Sequence, residues 1–361
     1  MSTWYHLAEW GGLPVQEFLT YDDLDELGAA EGPDGFTGVD PEEAEFGPYA
    51  DALDTPAEAV AWRLSTHVDA PIGLAGLFER FVHTVDTAKV QALVIGYWHT
   101  DVLSQAPDPV RELCAHATAF PALRHLFIGD IVGEESEVSW LSAYDVTPVL
   151  EAFPRLESLG YRFGLERDHT GPQLGLGAAL DAPVVLRPLV HAALRRLEFQ
   201  TGGMPAALPR AVAACEFPAL EHLDLWLGVS AYGGDAEVAD LAGLLDGTRF
   251  PHLRRLGLMN AEIQDAIATA VAGAPVVARL DALDLSMGVL SDAGAEALLA
   301  GQPLTHLRYL NLRHHLVSES VVQRLRDALE PAGVRVAADE ARTPLAGART
   351  PAEGRYTQVA E

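Results

Sequence analysis

Lysine is nearly missing from this 361-residue chain: Lys89 is the only one, and the other 23 basic residues are arginines. With the abundant alanine, that skew reads as GC-rich coding rather than selection for guanidinium chemistry. Bases of either kind are few, 24 against 52 acids, for a formal charge of −28. A nucleic-acid partner is excluded on this ground, because neutralising phosphates takes a basic face. Anionic membrane surfaces are disfavoured by the same field. Cysteine is scarce too: Cys114 and Cys215 form neither a disulfide framework nor a metal-ligand pair, and both read as small buried apolar residues. No apolar run reaches the roughly 18 residues of a helical span. The longest candidate, LGLGAALDAPVVLRPLV, is broken by Asp181, Pro183, Arg187 and Pro188. The start, MSTWYHLAEWGG, lacks a cationic segment followed by an apolar run, so a cytoplasmic location is expected. Export without such a signal leaves a secreted effector or adhesin as a further class. Phrases such as GxSxG, HExxH, GxxxxGK[ST] and CxxC are missing, so no catalytic residue, metal site or cofactor is assigned. Gly175-Leu176-Gly177 begins a GxGxxG phrase, but Leu180 stands where its last glycine belongs, and the stretch reads as an insertion loop.

What the chain does have is repetition. FPALRHLFIGD at Phe120, FPRLESLGYRF at Phe153, FPALEHLDLWL at Phe217 and FPHLRRLGLMN at Phe250 are near-copies of one phrase. Looser copies begin at Val90, Leu194, Leu280 and Leu307. All place apolar residues at positions one, four and six. Counted from Val90, successive first positions are 33, 33, 38, 26, 33, 27 and 27 residues apart. The alternation predicts a short strand in each copy, and the sequence between copies predicts helices. In LSDAGAEALLAGQP, Ser291 or Asp292 caps a helix that buries Ala295, Leu298 and Leu299. In VSESVVQRLRDALEPAG, Ser318 caps and Val322, Leu325 and Leu329 face inward; Ile263, Ile267 and Val271 form a similar stripe.

The LxxLxL pattern at this spacing resembles the leucine-rich repeats of ribonuclease-inhibitor type, over roughly Ala59 to Val336. The resemblance implies an α/β fold: a leucine-rich-repeat solenoid, a right-handed β-α horseshoe with a parallel concave sheet and outer helices. The family places Asn or Cys at position nine, bonded to neighbouring backbone. Here that position holds Ile131, Gly164, Gly228, Ala261, Gly288 and His315, so the polar ladder is not expected, and the glycines point to positive φ or a tight strand exit. The stretches WLGVSAYGGDAEVADL at Trp226 and VVARLDALDLSMGVLSDAGAEALLAGQPLTHLRYL at Val276 further resemble an uncharacterised bacterial leucine-rich-repeat family. Its members lie near genes for radical S-adenosylmethionine, ATP-grasp and hydrolase-like proteins, which implies an accessory of a biosynthetic gene cluster.

Three regions are expected: 1–58, a capping hairpin and an acidic loop; 59–336, the solenoid; and 337–361, a disordered tail. In the first, Trp4, Trp10, Leu13, Val15 and Phe18 flank a Gly11-Gly12 turn, and the acidic stretch from Tyr21 to Asp54 reads as a loop or an acidic interaction segment. AVAWRLS reads as a strand and GLAGLFERFVHTV as a helix, an early irregular repeat.

Positions three, five, seven and eight of each copy point away from the leucine core. They are expected to expose Phe127, Arg196, His222, Asp224, Trp226, Arg255, Asp284, Tyr309, Asn311 and Arg313 as a concave partner-binding face, with Asp130, Arg162, Glu198, Met259, Asn260, Met287 and His314 beside them. Aromatic, Met and Arg side chains of this kind mark interface centres. Packing between neighbouring rungs is the plainer alternative for the aromatics. Trp226 is the central candidate. The Tyr232–Asp235 loop is read as capping the helix that follows it. The leading expectation is a non-enzymatic scaffold for a protein or peptide, with no cofactor and an undefined oligomeric state. The rival is an enzyme or metal-dependent regulator that uses His222 with Asp224, or the loop carrying Glu134, Glu135 and Glu137. That loop lacks the ordered ligand spacing of a calcium site and otherwise reads as a solvated acidic loop.

Overall fold

The computed structural model describes residues 5–20, 22–25, 55–67, 70–98, 108–165, 184–343 and 355–359. Trp4, nearly all of the acidic stretch to Asp54 and the Gly175–Leu180 phrase lie outside them. The chain divides into two compact units, Met1–Glu135 with Pro148–Gly160, and Ser136–Thr147 with Tyr161–Glu361.

In the first unit, β1 (Glu9–Trp10) and β2 (Leu13–Glu17) form the expected hairpin, with Gly11 and Gly12 at φ 62° and 79°. Positive φ at both central residues is what a tight turn of this hand requires. β2 then pairs in parallel with β3 (Ala61–Leu64), followed by β4 (Ala92–Ile95) and β5 (His125–Ile128), in chain order. Trp62, Leu93 and Leu126 are in register, and all three are fully buried. The helices α1 (Leu74–Thr84) and α2 (Pro109–Ala115) follow β3 and β4. Asp108 caps α2 by accepting from the amides of Val110 and Arg111. Helix α3 (Thr147–Ala152) and strand β6 (Ser158–Arg162) contain residues of both units.

In the second unit, β7 (Arg196–Gln200), β8 (His222–Gly228), β9 (Arg255–Ala261), β10 (Ala282–Asp284), β11 (Tyr309–Asn311) and β12 (Arg335–Ala337) run parallel, each beside its predecessor. The fourth template position forms a row of Leu197, Leu223, Leu256, Leu283, Leu310 and Val336, with every leucine fully buried. Each such burial stabilises by about 1.5–3 kcal/mol, and the row is continuous only because the strands share one register. Between strands lie α4 (Ala207–Ala214), α5 (Ala242–Leu245), α6 (Gln264–Val271), α7 (Asp292–Ala300) and α8 (Glu319–Leu329). Ser291 caps α7 as expected. Ser318 occupies the cap position of α8 without making a side-chain cap bond. Ile267, Val271, Ala295, Leu298, Val322, Leu325 and Leu329 are buried, whereas Ile263 and Leu299 are only half-buried.

At position nine the glycines take the two expected forms, and His315 alone departs from expectation. Gly228 has the positive φ of 69°, whereas Gly164 and Gly288 are tight strand exits at which a Cβ would come within 2.3 Å of the Val138 carbonyl and the Gln264 side chain. His315 does bond a neighbouring rung: its Nε2 lies 3.1 Å from the Ala338 carbonyl, and its Nδ1 accepts from Val317 N at 3.0 Å. A buried glutamine off the template, Gln264, donates to the Leu258 carbonyl and accepts from Ala261 N, which serves β9 in the same way. Asp235 accepts from Ala206 N at 2.6 Å and so serves the start of α4, the helix before its loop rather than the one after it.

Candidate functional site

On the outward face of β7–β11, position three carries Arg196, His222, Arg255, Ala282 and Tyr309, and position five carries Glu198, Asp224, Gly257, Asp284 and Asn311. The two rows are coupled by charge. Arg255 spans the glycine rung, with Nε 3.1 Å from both Asp224 oxygens and Nη2 2.8 Å from Asp284. Gly257 is required for this, because a Cβ there would stand 2.3 Å from Asp224 Oδ1. Asp284 also accepts from Asn311 Nδ2 at 2.9 Å and from Ser286 Oγ at 2.6 Å. Arg196 donates to Glu198 at 2.8 Å, Glu198 accepts from Gln200, and Gln200 accepts from Arg162 at 2.8 Å. Glu198, Asp224, Asp284 and Arg162 are buried; Arg196, Arg255, Tyr309 and Arg313 are half-buried, and His222 is exposed.

The electrostatics follow from three carboxylates sharing a dry row. Burial pushes the Asp224 carboxyl up to about 6, with Glu198 and Asp284 adding to the rise and Arg255 opposing it. The carboxylates in turn raise the Arg255 guanidinium above its ordinary value against the cost of its own burial. His222 is held below its ordinary value by the packing around it and by Arg196 and Arg255, so its ring is neutral at pH 7. No hydrogen bond joins His222 to Asp224 among the described residues, so the i, i+2 pair is not an assembled acid–base couple. Arg313 is tied to Asp339 at 2.9 Å, and Arg335 lies over the Tyr309 ring, 5.6 Å from its centroid.

Two expected exposed aromatics are instead buried, for a physical reason the repeat does not contain. Phe127 is fully buried because Trp10 of the hairpin packs on it edge to face, at 5.0 Å between centroids. Trp226 is 1% exposed and lies with Val138, Met259, Met287 and Val359. Asp224, Asp284 and Asn311 support the face from beneath rather than forming its surface. Residues 355–359 also depart from the expected structureless tail, because Val359, 3% exposed, finds an apolar site on β8–β10. Cys215 is buried as expected, and Cys114 only in part.

The first unit holds a second charged cluster that sequence reading passed over. Arg63, 2% exposed, donates to Glu17 at 2.8 and 2.9 Å, to Asp130 Oδ2 at 3.1 Å and to the Asp130 carbonyl at 3.0 Å. Asp130 also accepts from Leu7 N at 3.1 Å, and His6 sits 3.5 Å from Asp130 and 3.6 Å from Glu135. The hydrogen bond to Asp130 leads in raising the His6 imidazole above its ordinary value. The signal available in the sequence was an arginine inside the apolar strand phrase AVAWRLS, where an unpaired charge would not be tolerated. Glu135 of the acidic loop accepts from Val132 N at 3.0 Å, which closes its own turn. Among the described residues no three His, Cys, Asp or Glu side chains are grouped to hold a metal ion, and no helix is long and apolar enough to cross a membrane.

No family model matches the chain, and no curated protein matches it. It is similar in fold to the crystal structure of a protein from Bacteroides fragilis, with a TM-score of 0.69 and 23% identity over 92% of this chain and 84% of that one. A structure of a TLR13 complex with a single-stranded RNA aligns at a TM-score of 0.39 and 14% identity, over 78% of this chain and 32% of that one. Likeness at that level decides nothing about function. The first match is a likeness of fold alone, and the class is read from the chain's own elements: α/β, with repeated strand–helix units on a mostly parallel sheet.

Proposed function

We propose that this chain is a non-enzymatic binding scaffold of leucine-rich-repeat type, which takes a protein or peptide partner on the outward face of β7–β11. The observation that carries this reading is the set of half-buried guanidinium groups, Arg196 and Arg255, each fixed by buried carboxylates, beside the accessible His222, Tyr309 and Arg313. A side chain immobilised before binding loses little entropy on binding, and Arg and Tyr are the residues on which interface energy concentrates. With a net charge of −28, a protein or peptide fits better than a nucleic acid. The role in a biosynthetic gene cluster follows from the bacterial family resemblance alone.

The test is affinity capture from native lysate, then calorimetry on the purified partner. The variant is His222→Ala with Tyr309→Ala and Arg313→Ala, none of which has a buried charge resting on it. A fall in affinity of at least about tenfold is expected, the loss of one or two interface anchors. An unchanged affinity removes the face from consideration.

A further inference from the structure

In the second unit, residues 355–359 of the chain itself, bent at Gln358, lie against the ends of β9, β10 and β11. Asn260 reads the backbone of Val359 from both sides: its Oδ1 accepts from Val359 N at 2.9 Å, and its Nδ2 donates to the Val359 carbonyl. The Met287 carbonyl accepts from Gln358 N at 2.8 Å. The Val359 side chain fills the site among Val138, Trp226, Met259 and Met287. Tyr356 stands edge-on to His314, at 5.8 Å between centroids, and Arg355 comes to 3.9 Å from Asp265.

The receiving surface is built for this at a cost to its own backbone. Asn260, Met287 and His314 occupy the same template position in three successive rungs, and all three are left-handed, at φ 55°, 69° and 56°. Left-handed backbone is uncommon outside glycine and is retained at ligand clamps and switch regions when the surroundings over-determine it. Each of the three touches the segment. Asn260 is wholly buried, and its side-chain amide makes both of its bonds to Val359.

We propose that this line is a peptide-recognition groove which reads a short segment with an aromatic residue three positions before a branched aliphatic one. The segment Tyr356-Thr357-Gln358-Val359 is its intramolecular occupant, and a partner segment of the same pattern replaces it. The specificity is chemical. The asparagine pair requires an unsubstituted backbone amide at the aliphatic position, so proline is refused there. The site between Trp226 and the two methionines takes an apolar side chain and refuses a charge. The tethered occupant competes at an effective concentration of about millimolar, so an external segment must be present at high concentration or enter when the tether is released. The groove is distinct from the Arg255 face but rests on the same scaffold reading for the protein nature of its partner.

The probe is a fluorescein-labelled heptapeptide of residues 355–361, RYTQVAE, followed by fluorescence polarisation against the full chain. The unaltered chain is compared with a Tyr356→Ala, Val359→Asp double variant, which changes no residue of any strand or helix. The double variant is expected to bind the peptide saturably and at least about tenfold more tightly than the unaltered chain. Adding Asn260→Ala should cut that binding by about tenfold, and a peptide carrying Val359→Asp should not bind. A Gln358→Pro variant, which loses the amide bonded to Met287, opens the groove by a separate route and should behave like the double variant. Equal or absent peptide binding in the altered and unaltered chains overturns the proposal, as does binding that survives Asn260→Ala. The His222→Ala, Tyr309→Ala, Arg313→Ala substitutions should leave peptide binding unchanged, so failure of the groove and failure of the outer face are read apart.

Discussion

Asp224 shows how far a residue's chemistry depends on its row. In sequence it is one of 52 acids; in the sheet it lies buried between Glu198 and Asp284 with Arg255 above it, and its carboxyl titrates at about 6 instead of its ordinary 3.8. A raised acid pKa means that the folded chain binds a proton which the unfolded chain has already released. Between those two values stability therefore falls as pH rises, and the protonated form is the stabilising one. Thermal melts from pH 4 to pH 7 should show this slope in the natural chain, and a smaller slope in Asp224→Asn, with both otherwise sharing the background of the other acids. Equal slopes would place the proton elsewhere. Arg63 follows the opposite logic: nearly enclosed by Glu17, Asp130 and Glu135, its charge is compensated in place, and the cluster fastens Leu7 to Asp130.

At the level of elements, the strand and helix positions were legible in the sequence because LxxLxL needs only local alternation to declare a strand, the SDAGAEALL segment carries its own cap, and both it and ESVVQRLRDAL carry apolar stripes. What each strand packs against on its outer face was not legible, since Trp10 and Phe127 are brought together by the fold, as are Val359 and Trp226. The first of these pairings constrains β6, where a Cβ at Gly160 would sit 2.3 Å from the Phe127 ring and 3.0 Å from Trp10. Gly160→Ala should therefore cost about 1–3 kcal/mol in denaturant unfolding, as overpacked cores do. Phe127→Leu in the same chain should return part of the loss, and a simple sum of the two single losses would show that the ring is not the obstacle.

Over the whole molecule the −28 charge acts as self-repulsion, while the buried Arg–carboxylate pairs act as local attraction. Salt separates the two, because it screens exposed charges over a Debye length that shrinks from about 30 Å at 0.01 M to about 8 Å at 0.15 M but reaches buried pairs far less. Adding sodium chloride over that range should raise Tm. A fall would show that exposed ion pairs such as Arg324 with Glu296 outweigh the repulsion. In a chain this acidic, the fixed Arg196 and Arg255 are local exceptions on β7 and β9.

The amino-acid sequence by itself determined the repeat, the register of the buried leucine row and the net charge of −28, because each depends on spacing or composition and both are read along one chain. It also named Arg196, His222, Arg255 and Tyr309 as outward-facing, since alternation along a strand fixes the face. Only the tertiary structure decided which of the outward residues remain accessible. Burial depends on segments distant in sequence, 99 residues between Asn260 and Val359, and no local period encodes where such a segment comes to rest.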